Sequence, residues 1–152
     1  MAHEFTVAND ARDYIIAGKA LVTAESEKTG NHLTFKVKQC KDYDGNKVKR
    51  WFVSVLSGPD NEDSYSYIGL LDGRGGVAVP EFRLTAKSRY PETATCVRGF
   101  KYMWSHLVAG NLPPSMTLRH HGKCGRCGRT LTVPESIDRG IGPECWEKMG
   151  GM

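Results

Sequence analysis

The clearest periodicity in the chain is the alternation of HLTFKVKQ, residues 32–39. Leu33, Phe35 and Val37 fall on one side of an extended strand and Thr34, Lys36 and Lys38 on the other, the pattern of a half-buried sheet. DYDGN follows, where Asp44-Gly45 supplies the positive φ of a tight hairpin. KVKRWFVSVL, residues 47–56, then returns as a second strand, apolar on both faces toward its end and so more central. KALVTAES (19–26), YSYIGLL (65–71) and VAVPEFRLTA (77–86) complete the set, with Pro80 marking an edge or a break. Short turns join these segments, which predicts an antiparallel sheet of about four to five strands.

The period changes after YPE. Val97, Phe100, Trp104, Leu107 and Val108 form one helical stripe, with Thr93 or Thr95 as a cap and AGNLPP as the stop. Such a stripe must cover an apolar surface, and the sheet is the sizeable one. A shorter helix, DARDYIIAG, is expected to begin at Asn9 as N-cap and to end at Gly18. The expected fold class is therefore α+β. An antiparallel sheet of about four to five strands is packed by one amphipathic helix, with a C-terminal treble-clef-like zinc module. The sheet and helix would occupy residues 1–118 and the zinc knuckle 119–152.

The module rests on three of the five cysteines. Cys124 and Cys127 form C-x2-C, and Gly128 lets the chain turn so that backbone amides point at the sulfurs. Pro143 opens a helix that carries Cys145 in its first turn, where the helix dipole and free amides favour a thiolate. PESIDRG between them reads as one helical turn. A tetrahedral zinc site needs four ligands about 2.0 to 2.3 Å from the ion. Either of the adjacent histidines could be the fourth; His120 is favoured, with His121 left exposed or bonded nearby. Four protein ligands would close the site, so zinc is expected to be structural rather than catalytic. Cys40 and Cys96 are expected outside the site, and no acid–base pair or Ser/His/Asp arrangement assembles from local spacing.

HHGKCGRCGRTLTVPESIDRGIGPEC, together with GKALVTAESEKTGNHLTFKV and YSYIGL, resembles an uncharacterised family found in bacteriophages and mobile elements. Its hallmark is a C-terminal CGRCGR…PESI…GIGPEC module. The resemblance implies zinc at Cys124, Cys127 and Cys145 and a histidine four positions before the first cysteine, which is His120. It implies no activity. A phage origin would place the protein in the host bacterial cytoplasm.

Charge adds a direction. The net charge is +4, and Arg119, Lys123, Arg126 and Arg129 crowd the module without an intervening acid. They either offset the negative charge of three thiolates on one zinc ion or face an acidic partner. Lys36, Lys38, Lys47 and Lys49 line the hairpin as a solvated face or a basic platform, and Trp51, Phe52, Tyr65 and Tyr67 are core residues or a base-stacking face. No apolar run approaches the roughly 20 residues of a bilayer span and no signal peptide is visible, so a soluble cytoplasmic protein is expected. The leading expectation is a zinc-containing module that binds nucleic acid or a nucleoprotein complex. The alternative is a phage-encoded inhibitor of a host protein such as a defence nuclease or polymerase. An enzyme acting on nucleic acid ranks below both.

Overall fold

The computed structural model describes residues 3–42, 44–57, 64–74, 79–131 and 139–148. Seven strands form one antiparallel sheet: β1 His3–Glu4, β2 Lys19–Ser26, β3 His32–Lys41, β4 Lys47–Leu56, β5 Tyr65–Asp72, β6 Glu81–Arg83 and β7 Met116–His120. Three helices are described: α1 Ala8–Ile15, α2 Thr95–Val108 and α3 Pro143–Lys148. The strand order is β1-β7-β2-β3-β4-β5-β6. From β2 to β6 the chain meanders, as the turn-punctuated alternation predicts. β7 departs from that order and lies between β1 and β2.

The alternation sets the layers. Val22, Phe35 and Val55 are aligned across three strands, as are Ala20, Val37 and Val53, and all six are buried. α2 lays Val97, Phe100, Met103, Trp104 and Leu107 on this face, and α1 adds Ala8, Ala11, Tyr14 and Ile15 to the same cluster. Two helices therefore cover the sheet, where one was expected. The Trp104 indole donates to the Pro80 carbonyl at 2.9 Å and the Trp51 indole to the Ile16 carbonyl at 3.1 Å, so both large rings are polar-satisfied within the core. The expected side-chain caps are not used. α1 starts after Val7 with Asn9 inside it, and α2 starts after Ala94; neither N-cap makes a side-chain hydrogen bond.

The other face carries no helix among the described residues. Strand register sets its rows: Lys19, Lys38, Phe52, Leu70 and Arg83 are successive cross-strand partners, and Leu21, Lys36, Ser54 and Tyr67 run beside them. A register shift between Val53 and Ser54 turns Tyr65 and Tyr67 to this side while Ile68 stays in the core. Among the described residues, no helix is long and apolar enough to cross a membrane.

Candidate metal centre and binding face

The knuckle is built by short-range hydrogen bonds. Cys124 N–H donates to the Arg129 carbonyl at 2.8 Å, Leu131 N–H to the Gly122 carbonyl at 2.9 Å, and Lys123 and Thr130 bridge as a small hairpin. Gly128, at φ 81°, closes the turn with its N–H on the Cys124 carbonyl at 2.8 Å. This conformation suits glycine because a Cβ would crowd the backbone. The reversal brings the backbone N–H of Arg126 to 3.4 Å from the Cys124 sulfur. α3, opening at Pro143, then delivers Cys145.

The sulfurs of Cys124, Cys127 and Cys145 all lie within 4.8 Å of one another. Cys124 and Cys145 are buried and Cys127 is exposed. Around them Ala17, Leu131 and Ile141 form a small second apolar cluster with Trp146 against it. Tetrahedral zinc with Zn–S bonds of about 2.3 Å sets sulfurs about 3.8 Å apart, so the cluster fits a thiolate-bound ion. Burial alone would raise the Cys124 thiol, but the amides of Gly142, Cys127 and Arg126 donate toward its sulfur and bring it down to about 7. Burial and the neighbouring Cys127 and Cys124 push Cys145 up to about 11. Without an ion, the cluster therefore favours one thiolate and resists a second, and a divalent ion removes that conflict. Burial also raises the Cys40 and Cys96 thiols, which lie outside the cluster, as expected.

The histidines stand apart from the sulfur cluster in what the described residues show. Among the described residues, neither His120 nor His121 joins the three sulfurs. The alternation of β7 puts His120 on the helix-covered face beside Leu118, fully buried and with its ring against Phe5, Tyr14 and His3. Its Nδ1 accepts the Gly122 N–H at 3.0 Å, so that nitrogen is turned to the protein backbone. His121, on the opposite face, lies 3.0 Å from the Thr23 hydroxyl. The helical turn expected at PESIDRG, with Glu135, falls largely on residues 132–138, outside the described residues.

The module is fastened to the sheet rather than tethered to it. Gly125 donates to the Gly140 carbonyl at 2.7 Å and its own carbonyl accepts the Lys19 N–H at the start of β2. The ring of Tyr14 lies against both glycines: a Cβ at Gly125 would come to 2.5 Å from Tyr14 Cδ1, and one at Gly140 to 2.6 Å. The Tyr14 hydroxyl donates to the Leu21 carbonyl and accepts the Leu21 N–H, each at 2.9 Å. Glycine at these two positions is a packing requirement. The boundary expected between residues 118 and 119 falls inside β7.

The cations separate into two groups. Arg119 lies 3.5 Å from Glu25 and 3.9 Å from Glu4, and Arg129 4.0 Å from Glu144. Lys36 stands over the Tyr65 ring at 4.2 Å from its centroid. By contrast Lys19, Lys38, Lys41, Lys47, Lys123 and Arg126 have no carboxylate partner among the described residues. Lys19 faces Lys38 and Lys41 faces Lys47 directly across the strands, an arrangement in which like charges repel. Lys47 is not on the face of Lys36 and Lys38: its ammonium reaches Gly18, 3.7 Å from where a Cβ would stand, next to the Arg126 carbonyl. Lys49 shares the side of Trp51 and packs its Cβ on Gly73. The expected four-lysine platform thus divides, and Lys19 and Lys41, which the sequence reading did not single out, join it at the knuckle end.

Of the four aromatics weighed for a stacking face, Trp51 is buried core and Tyr65 is covered by Lys36. Phe52 is the most exposed large apolar side chain among the described residues, at 51%. Its ring meets Tyr67 edge-on at 5.7 Å.

Residues 116–150 match the model of a family of unknown function, DUF6011. The match spans β7, the knuckle and α3, the same segment that holds the three sulfurs. No curated protein and no solved structure matches the chain.

Proposed function

We propose that this chain is a nucleic-acid-binding protein whose C-terminal module is held by a structural zinc ion. Three thiolates in one cluster suit zinc among the ions that soft ligands select. The observation that supports the binding reading is a set of cations at the knuckle end of the sheet with no carboxylate partner among the described residues. Lys19, Lys38, Lys41 and Lys47 form two opposed like-charge pairs, with Arg126 of the module beside Lys47. Like charges set opposite each other repel, and at Lys47 burial, Arg126 and Lys41 together disfavour the ammonium, an effect that the nearby Cys145 thiol offsets only in part. Lys19 and Lys38 lie on the open face and Lys47 on the other, so the two pairs flank the knuckle end, and phosphates passing there would meet flexible ammonium groups. The contact residues of this reading are Lys19, Lys38, Lys41, Lys47, Lys123 and Arg126; Arg119 and Arg129 are engaged by acids of the same chain.

The test is fluorescence anisotropy with labelled DNA and RNA oligonucleotides across a salt series. If about four phosphates are neutralised on a single strand, log K should fall with log salt with a slope near −3. The paired reversal Lys19→Glu with Lys38→Glu should weaken binding and flatten that slope. No binding to any DNA or RNA at low salt would remove this reading, whatever the metal content.

A further inference from the structure

The open face of the sheet holds more than charge. Beside Lys38 lies a hollow of about 500 Å³ whose lining includes Phe52, Leu70 and Tyr67 together with Arg50, Thr85 and Lys87. Its composition is unusual for a solvated sheet surface. One wall is the half-exposed Phe52 ring, Ser54 and Thr85 bring hydroxyls, and Lys87 and Arg50 bring positive charge. Tyr67 OH and the Thr85 hydroxyl are 3.0 Å apart, which fixes the floor. The Arg50 Nε has less than 1 Å² of exposure and no hydrogen-bond partner among the described residues. A planar, polar-edged ring standing on Phe52 would find a face for stacking, hydroxyls at its edge and the Lys87 ammonium for its phosphate.

Register ties the hollow to the lysines. Phe52 is the direct cross-strand partner of Lys38, which is the partner of Lys19. Neighbouring strands are about 4.8 Å apart, so the row from Lys19 through Lys38, Phe52 and Leu70 to Arg83 spans about 19 Å. Two lysines at one end of the row and an aromatic-walled hollow, roomy enough for a base, from its middle onward therefore share one line on one face. A base inside a duplex is stacked on its neighbours and cannot offer its face to Phe52.

Resting on the nucleic-acid reading above, we propose that the ligand is single-stranded, and that an unstacked base enters the hollow on Phe52 while its 5′ or 3′ phosphates lie along Lys38 and Lys19. Charge complementarity alone would accept a duplex or an acidic protein surface; the hollow makes the difference.

The experiment uses the full chain loaded with zinc and three labelled probes of equal length: a single strand, its duplex, and the same strand with abasic sites in place of its bases. The single strand should bind about tenfold more tightly than the abasic strand, the scale of one base stacked on an aromatic ring. Phe52→Ala, at a half-exposed position and so expected to fold, should reduce single-strand binding about tenfold and leave abasic binding unchanged. Lys38→Glu should weaken both probes by similar factors. Equal affinity for all three probes, or a Phe52→Ala variant indistinguishable from wild type, overturns the single-strand proposal while the nucleic-acid reading stands. Absence of binding to every probe overturns both.

Discussion

Gly125→Ala is the substitution that most directly tests how the cysteine module is held. The new methyl would stand 2.5 and 2.7 Å from two carbons of the Tyr14 ring and 3.1 Å from its carbonyl oxygen. Comfortable carbon–carbon separation is about 3.5–4.0 Å, so something must move by about 1 Å. The ring is poorly placed to yield. Its hydroxyl is bonded twice to Leu21, Phe5 and His120 pack near its faces, and Gly140 is equally close. The knuckle must therefore back away, which strains the bonds from Gly125 to Gly140 and Lys19. Overpacking of about 1–3 kcal/mol with one weakened buried hydrogen bond gives a loss of about 2–4 kcal/mol. In a chain of this size that is a fall in Tm of roughly 5–15 °C. The assay is thermal and urea unfolding at saturating zinc, with Gly142→Ala as control, because a Cβ there meets its nearest neighbour at 3.8 Å. In a Tyr14→Leu background the Gly125→Ala increment should shrink to below about 1 kcal/mol, a coupling that only contacting residues show. If the increment is the same in both backgrounds, or no larger than that of Gly142→Ala, the clamp does not exist as described.

Three further outcomes are expected. Stripping the metal at a concentration about 100-fold above its Kd should remove about 2.7 kcal/mol of stability, and Cys124→Ser should abolish one-to-one zinc retention in native mass spectrometry; an unchanged Tm after chelation would argue against a bound ion. His120→Ala should lower stability by about 2–4 kcal/mol through lost packing and an orphaned Gly122 amide, yet leave the zinc-to-protein ratio at one; loss of metal with full retention of fold would make His120 a ligand after all. Arg74 and then Arg83 hold the Asp72 carboxyl well below the usual carboxylate range. Because the folded value is depressed, its stabilisation is complete above the unfolded value of about 4 and drains away as pH falls below it. Asp72→Asn should therefore flatten the acid limb of the urea-midpoint profile below about pH 4, and parallel wild-type and mutant profiles would refute this.

What the sequence made legible follows from how local each signal is. The meander from β2 to β5 and the stripe of α2 were readable because their periods persist over eight or more residues. The three cysteines were readable from spacing, since a knuckle and a helix start need few neighbours to form. β7 is too short to announce itself, although Met116, Leu118 and His120 share one parity, a hint that His120 points into the core. β1 has two residues and no period at all. That the hairpin lysines fall on two faces is only half legible. Counting parity from Trp51, Val53 and Val55 places Lys47 and Lys49 opposite Phe52, but the register shifts at Gln39/Lys41 and Val53/Ser54 that orient the neighbouring strands leave no mark in the residue pattern. The hollow at Phe52 draws on β4, β5 and the segment beyond β6, and only the folded sheet brings these together.

The position of β7 has a consequence for how the molecule is made. His3 pairs with His120, so β1 cannot find its partner until the residues up to His120 have been synthesised. Until then β2 presents an open backbone edge, a template for unwanted pairing with other chains. Slotting β7 between β1 and β2 closes that edge and, in the same step, seats the cysteine hairpin against Tyr14. A nascent chain halted short of β7 would therefore be the aggregation-prone species.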